Sequence, residues 1–185
     1  MKNSLKVAVI GAMDCEINTI KECLENIETI QCGKLTVYKG YIGNNEIFLS
    51  KSGVGKVCAA INTQFIIDKF HPDYIINTGV AGGIAPELEV GDIVIATSLV
   101  QHDFDATALG YVKGYACTGG DNQKPTWFYT DENLIKAFGR LGPTQKLARQ
   151  ESAVQATTPM RRRSPHGEPY PLKSSPPVFW RHGRD

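Results

Sequence analysis

The sequence predicts an α/β fold built on a mixed sheet, and three observations carry that reading. A run rich in β-branched residues, Lys6 to Ile10, is closed by Gly11 and followed by helical spacing. Two extended runs flank Gly43-Asn44-Asn45, which is the pattern of an antiparallel hairpin. Between Glu46 and Thr78 the chain then reads strand, glycine turn, helix, strand, a crossover that joins two parallel strands.

The elements follow in order. Lys6 to Ile10 reads as a buried strand ending in a tight turn, and a helix is expected from about Asp14. Ile17, Ile20, Leu24 and Ile27 recur there at spacings of three and four, with Glu22 and Glu25 off the apolar face. Leu35 to Ile42 and Glu46 to Ser50 form the hairpin, because Gly43, Asn44 and Asn45 tolerate positive φ. After Lys51-Ser52-Gly53-Val54-Gly55, a helix from Lys56 to Phe70 carries Val57, Ile61 and Phe65 one turn apart. It stops before Pro72, whose preceding residue is barred from helical geometry. Tyr74 to Thr78 is a strand that enters Gly79-Val80-Ala81-Gly82-Gly83, and Asp92 to Thr97 is another after the turn Glu89-Val90-Gly91. A last helix spans Thr130 to Phe138, with Thr130 as N-cap and Asp131 and Glu132 complementing its dipole.

Composition divides the chain at Phe138. Residues 1–138 hold eleven Lys/Arg and sixteen Asp/Glu, and residues 139–185 hold nine and three, so net charges of -5 and +6 hide within a total of +1. All sixteen isoleucines precede the cut and seven of ten prolines follow it, which predicts a globular N-terminal part and a Pro/Arg-rich tail whose expected state is disorder. The functional alternative for Arg161-Arg162-Arg163 and its flanking prolines is a basic arm for nucleic acid or for a proline-recognising domain. One arginine triplet is too little to predict a phosphate-binding patch. No nucleic-acid partner is expected, and no run approaches the roughly 18 apolar residues of a membrane span. Five cysteines without a C-x-x-C pair suggest neither a zinc ribbon nor a disulfide framework, and point to reduced thiols in a cytoplasmic protein.

Two glycine loops invite nucleotide readings that fail residue by residue. A P-loop ending at Gly55-Lys56 would need glycine at Ser50 and a hydroxyl at Val57, and a dinucleotide fingerprint from Gly53 would need glycine at Cys58. The loops still allow a flat ligand to lie close to backbone that lacks Cβ atoms, although tight turns alone would also explain them. Glu16 stands in the first turn of a helix directly after a strand end, where ligands of open α/β sheets collect, and a carboxylate there suits proton abstraction from water. Its structural alternative is a favourable interaction with the helix dipole. His102, Asp103 and Asp105 have no metal-ligand spacing and read as a surface loop.

Taken together, the blocks are more specific. Gly11-Ala12-Met13-Asp14-Cys15-Glu16, Lys51-Ser52-Gly53-Val54-Gly55-Lys56-Val57 and Ile75-Ile76-Asn77-Thr78-Gly79-Val80-Ala81-Gly82-Gly83 resemble, in order and spacing, the 5′-methylthioadenosine/S-adenosylhomocysteine nucleosidases. Val90-Gly91-Asp92-Ile93-Val94 and His102-Asp103-Phe104-Asp105 continue the match, which covers about residues 6 to 138. The resemblance implies a nucleoside phosphorylase-like three-layer α/β sandwich, usually a homodimer, acting on an adenine nucleoside with no cofactor and no metal. It implies Glu16 as the carboxylate that orients and deprotonates the attacking water. Met13 and Val54 become the ribose and alkylthio contacts, and Val80, Ala81 and Gly82 the loop under the nucleoside. The expected reaction is hydrolysis of the N-glycosidic bond to adenine and a 5-thioribose. A carboxylate at position 16 would repel the phosphate that a phosphorylase must hold beside the sugar, so hydrolysis is preferred.

Family members continue beyond the matched region with the acid that protonates adenine and a Met-Glu pair for the ribose hydroxyls. After Phe138 this sequence has no Ser-Gly-Asp, no Glu-Met-Glu and no Ser-Asp following an apolar strand. The expectation is therefore a fold lacking its C-terminal part, truncated and joined to an unrelated tail, and an inactive 185-residue chain. Two other readings stay open: a nucleosidase for another purine nucleoside of the futalosine type, and a non-catalytic fragment that binds nucleoside or dimerises.

Overall fold

The computed structural model describes residues 4–83, 86, 88, 92–116, 121–138, 145–148, 153–155 and 178–180. The turn expected at Glu89-Val90-Gly91 and the segment around Arg161-Arg162-Arg163 lie outside the described residues. The chain runs β1 (Lys6–Gly11), α1 (Asp14–Glu22), β2 (Glu25–Cys32), β3 (Leu35–Ile42), β4 (Asn45–Lys51), α2 (Lys56–Phe70), β5 (Tyr74–Thr78), β6 (Ala81–Gly83), β7 (Ile93–Ala96) and β8 (Ser98–Leu99). A 3-10 turn (Thr107–Leu109), β9 (Phe128–Tyr129), α3 (Glu132–Phe138), β10 (Gln145–Ala148), β11 (Ala153–Gln155) and β12 (Val178–Trp180) complete it.

Six strands form the main sheet in the order β12-β5-β1-β4-β3-β2. β1 lies parallel to both β4 and β5, whereas β3 runs antiparallel to β4 and β2, so the sheet is mixed as the sequence predicts. Three further pairs, β7 with β10, β6 with β11 and β8 with β9, are hydrogen-bonded separately from it, with β7 beside β12.

Alternation along the central strands makes the layers. Ala8, Ile10 and Phe48 face one side and pack with Ile66 and Phe70 of α2, and the Phe48 and Phe70 rings stack at 4.5 Å. Val9, Ile47 and Leu49 face the other side and pack with Ile17 of α1. Helix, sheet and helix thus form three layers around the strand ends of β1, β4 and β5.

Three expectations need correction. The first helix ends at Glu22 rather than running to Ile27. Leu24 stays buried beside Ile17, but Asn26 adopts φ 53° and the chain enters β2, where Ile27 is 46% exposed. The 24–25 link crosses β3 so closely that a Cβ on Gly40 would meet the Glu25 carbonyl at 2.9 Å, which makes glycine necessary there. The second helix has the expected bounds, and His71 leaves it in the left-handed region before Pro72. Its buried stripe, however, is Asn62, Ile66 and Phe70, while Val57 and Ile61 are exposed. The third correction concerns α3. Asp131, not Thr130, caps it, accepting from the Asn133 and Leu134 N–H groups. The buried Thr130 hydroxyl donates instead to the Ala96 carbonyl, tying the helix entry to β7.

Candidate active site

The parallel register sets Gly11, Lys51 and Thr78 side by side at the ends of β1, β4 and β5. The three segments that leave these ends, continuing into the first turn of α1 and into β6, carry Met13, Glu16, Val54, Val80, Ala81 and Gly82, at the place where ligands of open α/β sheets bind. Met13 is extended and precedes α1 as its N-cap. Glu16, one turn in, reaches back so that its Oε2 accepts from the Ala12 N–H at 2.7 Å and the Met13 N–H at 2.9 Å. Its Oε1 accepts from the Val80 N–H, 64 residues away, at 3.1 Å.

An ionised carboxylate offers about four acceptor positions. Three are taken by backbone donors from two loops, and one position on Oε1 has no partner among the described residues. Gly11 makes the approach possible, because a Cβ there would stand 2.6 Å from Ile17 Cγ2 and 3.1 Å from Glu16 Cβ.

Val54 is exposed on the second loop between Gly53 and Gly55, whose φ values of 82° and 110° only glycine adopts readily. That loop is fastened to the first, since the Ser52 N–H donates to the Gly11 carbonyl at 2.8 Å. On the third loop Val80 meets Glu16, Ala81 packs against Leu88 and Val94, and Gly82 is exposed. Glu16, Met13 and Val80 are thus joined by hydrogen bonds, with Val54 on the adjoining loop and Ala81 and Gly82 continuing into β6. In the sequence Lys51 and Ser52 stand only as part of a block, and nothing but their place before Gly53 marks them.

The 102–105 loop does other work. Lys56, at the start of α2, donates to both Asp103 carboxylate oxygens at 2.8 and 2.9 Å, and Asp105 accepts from the Thr107 hydroxyl and N–H. Among the described residues no group of three His, Cys, Asp or Glu side chains is placed to hold a metal ion. The hydrogen bond from the Lys56 ammonium holds the Asp103 carboxyl below the ordinary aspartate range. A depressed carboxyl pKa contributes stability above its unfolded value and loses it as pH falls through the folded one. Asp103→Asn is therefore expected to cost under about 1 kcal/mol at neutral pH, since the pair is half exposed, and its melting temperature should converge on the wild type's below about pH 4.

The comparisons with known proteins bear on this arrangement. The chain is 39% identical over 132 residues to the 5′-methylthioadenosine/S-adenosylhomocysteine nucleosidase of Tolumonas auensis, covering 71% of this chain and 55% of the relative. The corresponding Psychromonas ingrahamii nucleosidase is 41% identical over 140 residues, covering 76% and 58%. The chain thus spans a little over half the length of these relatives. Among solved structures, the Neisseria meningitidis nucleosidase in complex with methylthio-immucillin-A superposes with a TM-score of 0.69 at 39% identity, over 77% of this chain and 62% of that one. A futalosine hydrolase mutant of Helicobacter pylori also superposes with a TM-score of 0.69, at 28% identity, over 78% and 65%. Among the described residues no helix is long and apolar enough to cross a membrane. With its three-layer mixed sheet, its loops at parallel strand ends and a match to the family over residues 6–163, the chain belongs to the phosphorylase superfamily.

Proposed function

We propose that the chain supplies the water-activating side of a nucleosidase that hydrolyses the N-glycosidic bond of 5′-methylthioadenosine and S-adenosylhomocysteine, giving adenine and a 5-thioribose. The observation that carries this is the Glu16 carboxylate. Ala12, Met13 and Val80 aim three backbone N–H groups at one place, a cradle suited to an anion. A phosphorylase would offer such donors to phosphate, but here the protein's own carboxylate occupies them. An incoming phosphate would have to displace Glu16 and meet its charge at close range.

Water has the opposite preference. It donates to the open position on Oε1, gives up a proton as its oxygen attacks the ribose carbon, and the electron pair of the breaking bond leaves on adenine, which takes its proton from an acid outside residues 6–138. Met13 and Val54 contact the ribose and the alkylthio group in this reading, and Val80, Ala81 and Gly82 lie under the base. No cofactor takes part. Exposed Val57 and Ile61, one turn apart on α2, support a homodimer, and the four exposed free cysteines among the described residues support a cytoplasmic setting.

The test uses a chimaera in which residues 6–138 replace the matching residues of the Tolumonas auensis nucleosidase, with its mass followed by light scattering. Adenine release from 5′-methylthioadenosine in phosphate-free buffer is the expected result. A requirement for phosphate would overturn hydrolysis. Faster release from futalosine would favour the other purine nucleosidase reading, which the Helicobacter pylori similarity supports. A folded chimaera that binds the nucleoside without cleaving it would make this segment a non-catalytic binding module.

A further inference from the structure

Two consecutive residues hold both ends of the turn Gly11-Ala12-Met13-Asp14. At one end the Ser52 N–H donates to the Gly11 carbonyl at 2.8 Å, while the Ser52 hydroxyl donates to the Gly53 carbonyl at 2.9 Å and lies 3.3 Å from that of Gly11. At the other end the Lys51 ammonium donates to Asp14 Oδ2 at 2.8 Å. Between these fixed points stand Ala12 and Met13, the two residues whose N–H groups converge on Glu16 Oε2.

Planarity makes this arrangement mechanical. The Gly11 carbonyl and the Ala12 N–H belong to one trans peptide unit and point in opposite directions, so a donor fixing the oxygen also fixes the aim of the N–H. Hydrogen bonding at the carbonyl further polarises the same unit and strengthens it as a donor. Lys51 and Ser52 also begin the loop that carries Val54, so the clamp joins two walls of the site.

We propose that Lys51 and Ser52 are positioning residues that clamp the Ala12–Met13 donors in the orientation the Glu16 carboxylate requires. Neither side chain touches the reacting atoms, and the catalytic meaning of the clamp rests on the reading of Glu16 as the water base. Substitution leaves the Ser52 N–H bond to Gly11 in place and removes the exposed Lys51 ion pair and the Ser52 hydroxyl contact, each of which shifts a local equilibrium by only a few-fold. Their combined loss is expected to loosen the turn without unfolding the sheet.

Amide hydrogen exchange of the full 185-residue chain, read by NMR, tests this without any nucleoside. In Lys51→Met/Ser52→Ala, exchange at Ala12 and Met13 is expected to rise about tenfold while Leu49 and Ile66 keep their wild-type rates. Lys51→Arg/Ser52→Thr retains both donors and is expected to exchange like the wild type. In about 1 M salt, where the Debye length is near 3 Å, the wild type should approach Lys51→Met. Unchanged exchange at Ala12 and Met13 in the double variant would overturn the role of the Lys51 and Ser52 side chains in the clamp, as would equal acceleration at Leu49 and Ile66. In the chimaera the double variant should lower kcat with KM unchanged. Loss of protection without that kcat effect would leave the clamp standing and remove the role of Glu16.

Discussion

Glu16→Gln is expected to lower adenine release by the chimaera by about 10²–10⁴-fold, the span that a positioned general base supplies. Donors matter here as well as basicity. A glutamine offers one acceptor oxygen and one NH₂ group, whereas the wild-type carboxylate meets backbone donors on both oxygens. With the amide oxygen toward Ala12 and Met13, the NH₂ faces the Val80 N–H; with the amide reversed, it faces the other two. Either way a donor confronts a donor, the two loops lose their shared anchor, and no basic oxygen remains for water. Glu16→Asp keeps the charge but is one methylene shorter and cannot hold both loops at these distances, so it should recover only part of the loss. If Glu16 were a helix cap and nothing more, Glu16→Gln would cost stability of about 1–3 kcal/mol through unpaired donors. Release per folded molecule would then stay within a few-fold of wild type. Melting curves and kcat measured on the same samples separate the two.

The part of this site that is readable in the sequence is the part fixed by local chemistry. Gly11 closing a strand, Gly55 before α2 and Pro72 after it are signals within a few residues of the feature they set, and β1, the β3–β4 hairpin, α2 and β5 fall where those signals put them. Contacts decided by distant neighbours are not readable this way. The i, i+3 and i+4 spacing that links Ile17 to Leu24 continues to Ile27, yet the chain gains more by pairing β2 along β3 than by another helical turn. On α2 the apolar residues Val57 and Ile61 suggest a core face. The true core stripe includes polar Asn62, whose amide NH₂ donates to the buried Ser50 hydroxyl, itself bonded to the Thr36 carbonyl, while its buried Oδ1 has no partner among the described residues. Glu16 is suggestive in sequence as a first-turn carboxylate, but its tie to Val80 depends on β5 lying beside β1, which only the folded sheet shows. For the same reason Lys51 and Ser52 carry no sequence signature of their own.

Gly11→Ala gives the second large effect, and a second substitution can divide it into packing and positioning. The new Cβ would lie 2.6 Å from Ile17 Cγ2, closer than carbon atoms approach, in a core where Ile17 is buried. Overpacking of this kind costs typically about 1–3 kcal/mol. The same Cβ would lie 3.1 Å from Glu16 Cβ and 3.5 Å from Glu16 Oε2, so relaxation of the helix start also carries the carboxylate away from Ala12, Met13 and Val80. Ile17→Leu removes the offending branch at nearly constant volume, and in the double variant most of the lost stability should return because the two positions are coupled. The contact with Glu16 would persist. A misplacement of about 1 Å at a reacting group can cost on the order of 10²-fold, so the chimaera carrying Gly11→Ala/Ile17→Leu is expected to melt near the wild type yet release adenine at least about tenfold more slowly. Recovery of both properties would reduce Gly11 to a packing residue. Recovery of stability alone would make the missing side chain at position 11 part of how this fold holds its carboxylate in place.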